Sequence, residues 1–181
     1  MALLSAIVLP SSAEAYLLNG CKFPGSNPNI EIKYMHVTNT YKSATNTAQS
    51  RWDADTPNFG GYFTVTTGSD PEIKVYDSYY SETWYAIAVG GCDSGGGQEW
   101  YNDLVLIKYN FNTMDDLSSS EKAQIGIHEL GHALGLAHSY HGCSSPGPAV
   151  MKSDALFGLN VCDDTTAPFQ DDIDGVENIY G

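Results

Sequence analysis

Apolar and polar residues alternate over Asn29 to Val37, where Ile30, Ile32 and Tyr34 fall on one face, the period-two pattern of a half-buried strand. His36 follows the same face less cleanly and reads as a sheet residue rather than a ligand. Ala44 to Ala54 predicts a first helix, with Trp52 as its packing residue and Asp55 to Pro57 as its stop. Two short strands, Phe63 to Thr66 and Glu72 to Tyr76, flank the turn residues Gly68-Ser69-Asp70-Pro71. Trp84 to Val89 predicts another strand, and Leu104 to Asn110 the most deeply buried one.

The period then lengthens. Ser118 and Glu121 form Ser-x-x-Glu, a capping box in which each side chain satisfies the other's free backbone amide. From that cap Ala123, Ile127, Leu130 and Leu134 recur at spacings of three and four. The pattern predicts a helix over about 118 to 135 that buries one side and offers the other to a cleft. Near the end, Asp171 and Asp172 precede a second apolar-periodic segment, so helix capping accounts for at least one of these carboxylates. Strands and helices mixed in this order indicate an α+β chain.

The long helix carries the chemistry. Its run His128-Glu129-Leu130-Gly131-His132-Ala133-Leu134-Gly135-Leu136-Ala137-His138 sets two histidines four apart, one turn above each other on one face, the spacing of a zinc clamp. Glu129, beside the first ligand, is placed to serve as general base toward water at the metal. Gly135 can adopt the left-handed backbone that ends a helix, which swings His138 back as a third ligand. Three protein ligands leave a fourth position open, the mark of a catalytic zinc site. His141 follows closely, but a fourth histidine would close the site, so it reads as exposed or as a neighbour of the ligands.

This extended motif resembles that of the metzincin zinc peptidases, carried by His128, Glu129, His132, Gly135 and His138. The resemblance also implies a methionine turn beneath the metal, for which Met151 in Pro148-Ala149-Val150-Met151 is the candidate. Ser139 after the third histidine, and the closing run Phe169 to Gly181, are similar to the matrixins within that clan. Membership implies a twisted mixed sheet over a cleft, a zinc helix, a C-terminal helix, and secreted endopeptidase activity on protein or peptide substrates bound in extended form. It also implies an apolar pocket beside the zinc, bounded here by Lys152 to Pro168 with Ala155, Leu156, Phe157, Leu159 and Val161. Lys152 and Ser153 depart from the tyrosine and proline usual in matrixins, so the shape of that pocket is open. Many matrixins bind a second, structural zinc through upstream histidines; His36 alone precedes the zinc helix here, so one zinc is expected. Two other readings stay open: a catalytically silent zinc-binding adhesin or inhibitor of this fold, and a metzincin of another family such as the astacins.

Composition narrows the setting. The 181 residues fit one domain, taken as 16–181, without repeats. Twenty-two acidic against eight basic residues give a net charge of -14, which argues against nucleic-acid and anionic-membrane partners and for solubility; a monomer is expected. Residues 1–15 (MALLSAIVLPSSAEA) resemble the back half of a secretory signal, although the first basic residue is Lys22; an N-terminal strand is the alternative. No run is long enough to span a bilayer. Four cysteines suit two disulfides in an exported chain, with Cys143 to Cys162 and Cys21 to Cys92 the favoured pairing among three, and reduced buried thiols as the alternative. Matrixin latency uses a propeptide cysteine, and Cys21 to Gly25 superficially resembles such a segment, but a disulfide is the expected fate of Cys21. The glycine-rich stretch Gly90 to Asp103 offers Asp93, Glu99 and Asp103 as oxygen donors for calcium, but lacking an EF-hand spacing it reads first as a loop with solvated charges, with calcium binding as the alternative.

Overall fold

The computed structural model describes residues 16–93, 98–139, 149–152 and 166–181. Its elements run β1 (Leu17–Leu18), β2 (Asn29–His36), α1 (Asn39–Asp55), β3 (Tyr62–Val65), β4 (Ile73–Ser78), β5 (Ala86–Val89), β6 (Val105–Asn110), α2 (Phe111–Met114), α3 (Ser119–Ala133), β7 (Leu136–Ala137) and α4 (Gln170–Tyr180). Five strands form one mixed sheet in the order β3-β2-β4-β6-β5, and β1 pairs with β7 apart from it. The β2–β3, β2–β4 and β4–β6 pairs are parallel, whereas β5 is antiparallel to β6 and forms the sheet's edge. Ile30 and Ile32 of β2, Ile73 and Val75 of β4, and Val105 and Ile107 of β6 are fully buried. Alternation on these central strands therefore does what the sequence implied, aiming one face into the core. His36 is the exposed last residue of β2.

Helix α1 begins a turn before the expected Ala44. Thr38 occupies its N-cap position, and both its N–H and its hydroxyl donate to Asp77 Oδ2 on β4, at 2.7 and 2.8 Å. The extra turn buries Tyr41, whose ring stacks on Tyr109 and Phe111 with centroids 5.2 and 5.6 Å away. These partners are distant in sequence, so local periodicity does not register them. The edge strand is shorter than Trp84 to Val89 because the backbone carbonyls of Glu82 and Trp84 are held by the Asn110 side chain, each at 3.0 Å. Asn110 is fully buried, and its Oδ1 accepts from the amides of Tyr80 and Asn112, at 3.0 and 3.1 Å.

Helices α1 and α3 pack against each other, α1 reaching β3 and α3 reaching β6 and β5. Gly126 permits this closeness: a Cβ there would lie 3.1 Å from the Ala44 carbonyl oxygen and 3.3 Å from the Ala48 methyl. Trp52 of α1 is completely buried and donates through Nε1 to Ile127 O at 3.0 Å, tying the first helix to the middle of α3. The N-terminus of α3 carries the expected capping box, Ser118 and Glu121 bonding each other's amides. One expectation needs correction. Helix α3 does not leave a broad face to a cleft, since every residue from Lys122 to Gly131 is buried. The sheet and α1 cover much of it, Met151 packs beneath Gly131, and the Ala88 amide of β5 meets Glu129.

Candidate metal centre and active-site cleft

His128 and His132 sit one helical turn apart on α3, and the helix stops at Gly135, whose φ of +110° no side-chain-bearing residue adopts comfortably. The chain then turns through β7 and returns His138 to the two helical histidines. His138 Nε2 lies 3.2 Å from His128 Nε2 and 3.1 Å from His132 Nε2. Three nitrogens bound tetrahedrally to one zinc at about 2.0–2.1 Å would lie about 3.3 Å apart, so the spacing fits the ion. Among the described residues this is the one group of histidine, cysteine and acidic side chains gathered closely enough to hold a metal.

The other ring nitrogens are engaged. His128 Nδ1 lies 2.8 Å from Val150 O, and His132 Nδ1 lies 2.8 Å from Leu136 O, so each ring donates from Nδ1 and keeps the Nε2 lone pair for a metal. Burial lowers the pKa of His128 to about 3 and that of His132 to about 4, and His138 is lowered for the same reason. Neutral imidazoles are what a metal site requires. The donor set therefore fits zinc.

Glu129 is buried beside them. Its carboxylate accepts from the Ala88 N–H of edge strand β5, while Oε2 has no hydrogen-bond partner among the described residues. Burial pushes its carboxyl up to about 8, with the Ala88 amide opposing the shift. Glu129, the three histidines, Trp84, Ala86, Ile87 and Ala88 line a cleft of about 370 Å³, largely apolar apart from these groups. The sequence-derived residues His128, Glu129, His132 and His138 thus meet at one place.

Met151 lies beneath the helix, as its position in the motif implied. It is almost fully buried, and its Sδ fills the space where a Cβ on Gly131 would be. Its carbonyl accepts from the Ser139 amide at 2.7 Å, joining the turn to the residue after the third histidine. Asp172 holds the turn from the other side. Its Oδ2 accepts from Val150 N–H at 2.7 Å and from Phe169 N–H at 2.9 Å, and its Oδ1 from Met151 N–H at 3.2 Å. Burial raises this carboxyl to about 6. Helix capping thus accounts for Asp172 in part; its larger role, fixing the backbone that orients His128, had no local signal beyond a pair of aspartates before a helix.

Cys21 and Cys92 form a disulfide with Cα atoms 5.4 Å apart, as paired from the sequence. Cys143, Cys162, His141, residues 1–15 and most of the pocket wall expected between Lys152 and Pro168 lie outside the described residues.

A family model described as Matrixin matches residues 25–181. Stromelysin-1 of Rattus norvegicus is 33% identical over 67 residues, 37% of this chain and 13% of that protein. Two solved structures of myroilysin are 19% identical, with TM-scores of 0.47 and 0.44; they cover 68% and 66% of this chain and 54% and 48% of theirs. The chain spans about half the length of the myroilysin chains and a small part of stromelysin-1. The matched family model spans the chain from before β2, through the histidine run, to the residue after α4: the chain belongs to the matrixin family, whose members are zinc metallopeptidases.

Proposed function

We propose that this chain is a secreted zinc endopeptidase in which His128, His132 and His138 hold the metal and Glu129 is the general base. The observation that carries the reading is the convergence of three Nε2 atoms beside the unpartnered Oε2 of Glu129 on the wall of an apolar cleft. When bound, zinc supplies polarisation of a peptide carbonyl and a pKa near ~7 for water at its open position. Glu129 takes the proton of the attacking water and returns it to the leaving nitrogen. The Ala88 amide fixes one oxygen of that carboxylate and leaves the other for proton transfer. Trp84, Ala86 and Ile87 exclude water along the cleft wall.

An extended peptide has an edge to join. Among the described residues strand β5 pairs with β6 on one side only, so its other side offers backbone groups to a protein or peptide substrate in β-strand form. Backbone pairing gives affinity without demanding a particular sequence. The Cys21–Cys92 disulfide supports an oxidising compartment and hence secretion. Residues 16–181 would act as one catalytic domain, with residues 1–15 as a leader remnant.

Hydrolysis of an unfolded protein substrate, with and without a chelator, tests the reading. The parent should lose activity with its zinc, and Glu129→Ala should keep zinc and fold while losing several orders of magnitude in rate. A variant as active as the parent would remove Glu129 from the mechanism, and an inactive parent holding zinc would favour a binding protein of this fold.

A further inference from the structure

The carboxyl end of a helix leaves four carbonyls without intrahelical partners. At the end of α3 these carbonyls and those of the following turn are met from outside the helix. His132 O accepts from Asn19 Nδ2 at 2.9 Å, Ala133 O from Trp100 Nε1 at 2.8 Å, and Gly135 O from Asn19 N–H at 2.9 Å. Asn19 Nδ2 also reaches Leu136 O at 3.4 Å, the carbonyl that orients His132 through Nδ1. Its Oδ1 in turn accepts from Cys21 N–H at 2.9 Å, which holds the amide in this orientation. Directly before Asn19, β1 pairs Leu17 with Ala137 and Leu18 with Leu136, the two residues that lead into His138.

The two capping segments are joined to each other. The Cys21–Cys92 disulfide links them, Lys22 N–H donates to Gln98 O at 2.9 Å, and Trp100 N–H donates to Lys22 O at 3.0 Å. The collar sits so close that a Cβ on Gly135 would lie 2.7 Å from Cys21 O. Asn19 and Cys21 precede residue 25, where the match to the family model begins, so the family pattern assigns them no part in the site.

We propose that Asn19 and Trp100 are positioning residues of the metal centre: through a disulfide-closed collar they fix the turn that carries His138 into register with His132. Neither touches the metal or the substrate. Their effect runs through the carbonyls at the end of α3 and through β7. The inference rests on the metal reading above, and it adds that the ligand turn is held ready in the metal-free protein and that metal affinity depends on the collar being closed.

The test compares the parent with Asn19→Asp, Trp100→Phe and the double variant Cys21→Ala/Cys92→Ala. Asn19→Asp keeps the shape and the acceptor for Cys21 but turns a carboxylate toward two carbonyls at the negative end of a helix. Trp100→Phe keeps an aromatic ring in place and deletes the Nε1–H. Zinc affinity by chelator competition should fall by about 10- to 100-fold, the usual consequence of disturbing the groups behind metal ligands. The visible spectrum of the cobalt-substituted protein should shift as the geometry at the three histidines relaxes. In metal-stripped protein, amide exchange at residues 134–138 should speed by about tenfold or more, reporting the collar without any metal. Parent-like exchange and parent-like zinc affinity in both Asn19→Asp and Trp100→Phe would overturn the proposal; these two carry the test if the cysteine variant does not fold. A parent that binds no zinc would overturn the metal reading itself, a distinct outcome.

Discussion

Replacing Gly135 by alanine should damage the protein through two effects that add. The first is backbone strain, because φ is +110° and an L-residue held in so sparsely populated a region costs about 1–3 kcal/mol. The second is contact: the new Cβ would stand 2.7 Å from Cys21 O and 3.1 Å from Ile179 Cδ1. Isoleucine can rotate, but the Cys21 backbone is tied by its disulfide and by Asn19, so relief must come from moving the turn. Crowding of that kind costs about 1–3 kcal/mol, for a total of about 2–6 kcal/mol. At about 2–4 °C per kcal/mol for a chain of this length, the melting temperature of metal-free protein should fall by about 5–20 °C. Zinc retention should fall with it, since the displaced turn carries His138. Gly126→Ala is the control: its Cβ would meet Ala44 O and Tyr109 Oη at 3.1 Å without a positive φ, and helix propensity offsets roughly 1 kcal/mol of the crowding. A Gly135→Ala protein that melts within about 2 °C of the parent and keeps its zinc would refute both parts of the reasoning.

Other perturbations probe the remaining supports. Asp172→Ala strands the buried amides of Val150 and Met151 and the part-buried amide of Phe169 and should cost about 3 kcal/mol or more, measured by urea unfolding, and should weaken zinc binding because Val150 O no longer orients His128 firmly; zinc affinity equal to the parent's would separate the turn from the metal. The folded pKa of Asp172, about 6, lies above the ordinary value of an aspartate carboxyl, so its proton uptake adds stability as pH falls and that contribution is lost as pH rises through 6. Between pH 7 and 5 the parent should therefore gain roughly 1 kcal/mol that Asp172→Asn does not, and superimposable profiles would contradict the assignment. Gly131→Ala should drive Met151 from beneath the helix and lower stability by about 1–2 kcal/mol after the helix-propensity gain, an effect that Met151→Ala in the same chain should partly reverse. Elemental analysis should find one zinc per chain, and none retained in His132→Ala.

Where a feature depends on neighbours in the chain, the sequence was legible. The capping box at Ser118, the helix stop at Gly135 and the alternation in β2 each arise from interactions spanning a few residues. The histidine cluster was legible for a related reason, because i and i+4 on a helix share a face whatever surrounds them. What stayed hidden comes from contacts over long separations. Helix α1 starts early because Thr38 meets Asp77 and Tyr41 meets Tyr109. Strands β1 and β7, with two residues each, carry no periodicity at all and exist because each is the other's partner.

The same division explains why the groups behind the ligands were harder to read than the ligands. A metal ligand must belong to a small set of residue types at a constrained spacing. A group that orients a ligand need only present one donor or acceptor, and here two of them are backbone carbonyls, Val150 O and Leu136 O, which any residue possesses. Side-chain identity enters one layer further out, at Asp172 and Asn19, where a backbone segment must itself be held. Aspartate supplies acceptors for two amides of the Val150–Met151 turn and for the Phe169 amide at the start of α4, and asparagine supplies a donor and an acceptor to a helix end and its neighbour. These two residues reach the histidine turn from segments far apart in the sequence, so on the positioning proposed for Asn19 the metal centre would be assembled only when both segments are docked. Loss of zinc and undocking of either segment should consequently be coupled, each lowering the cost of the other.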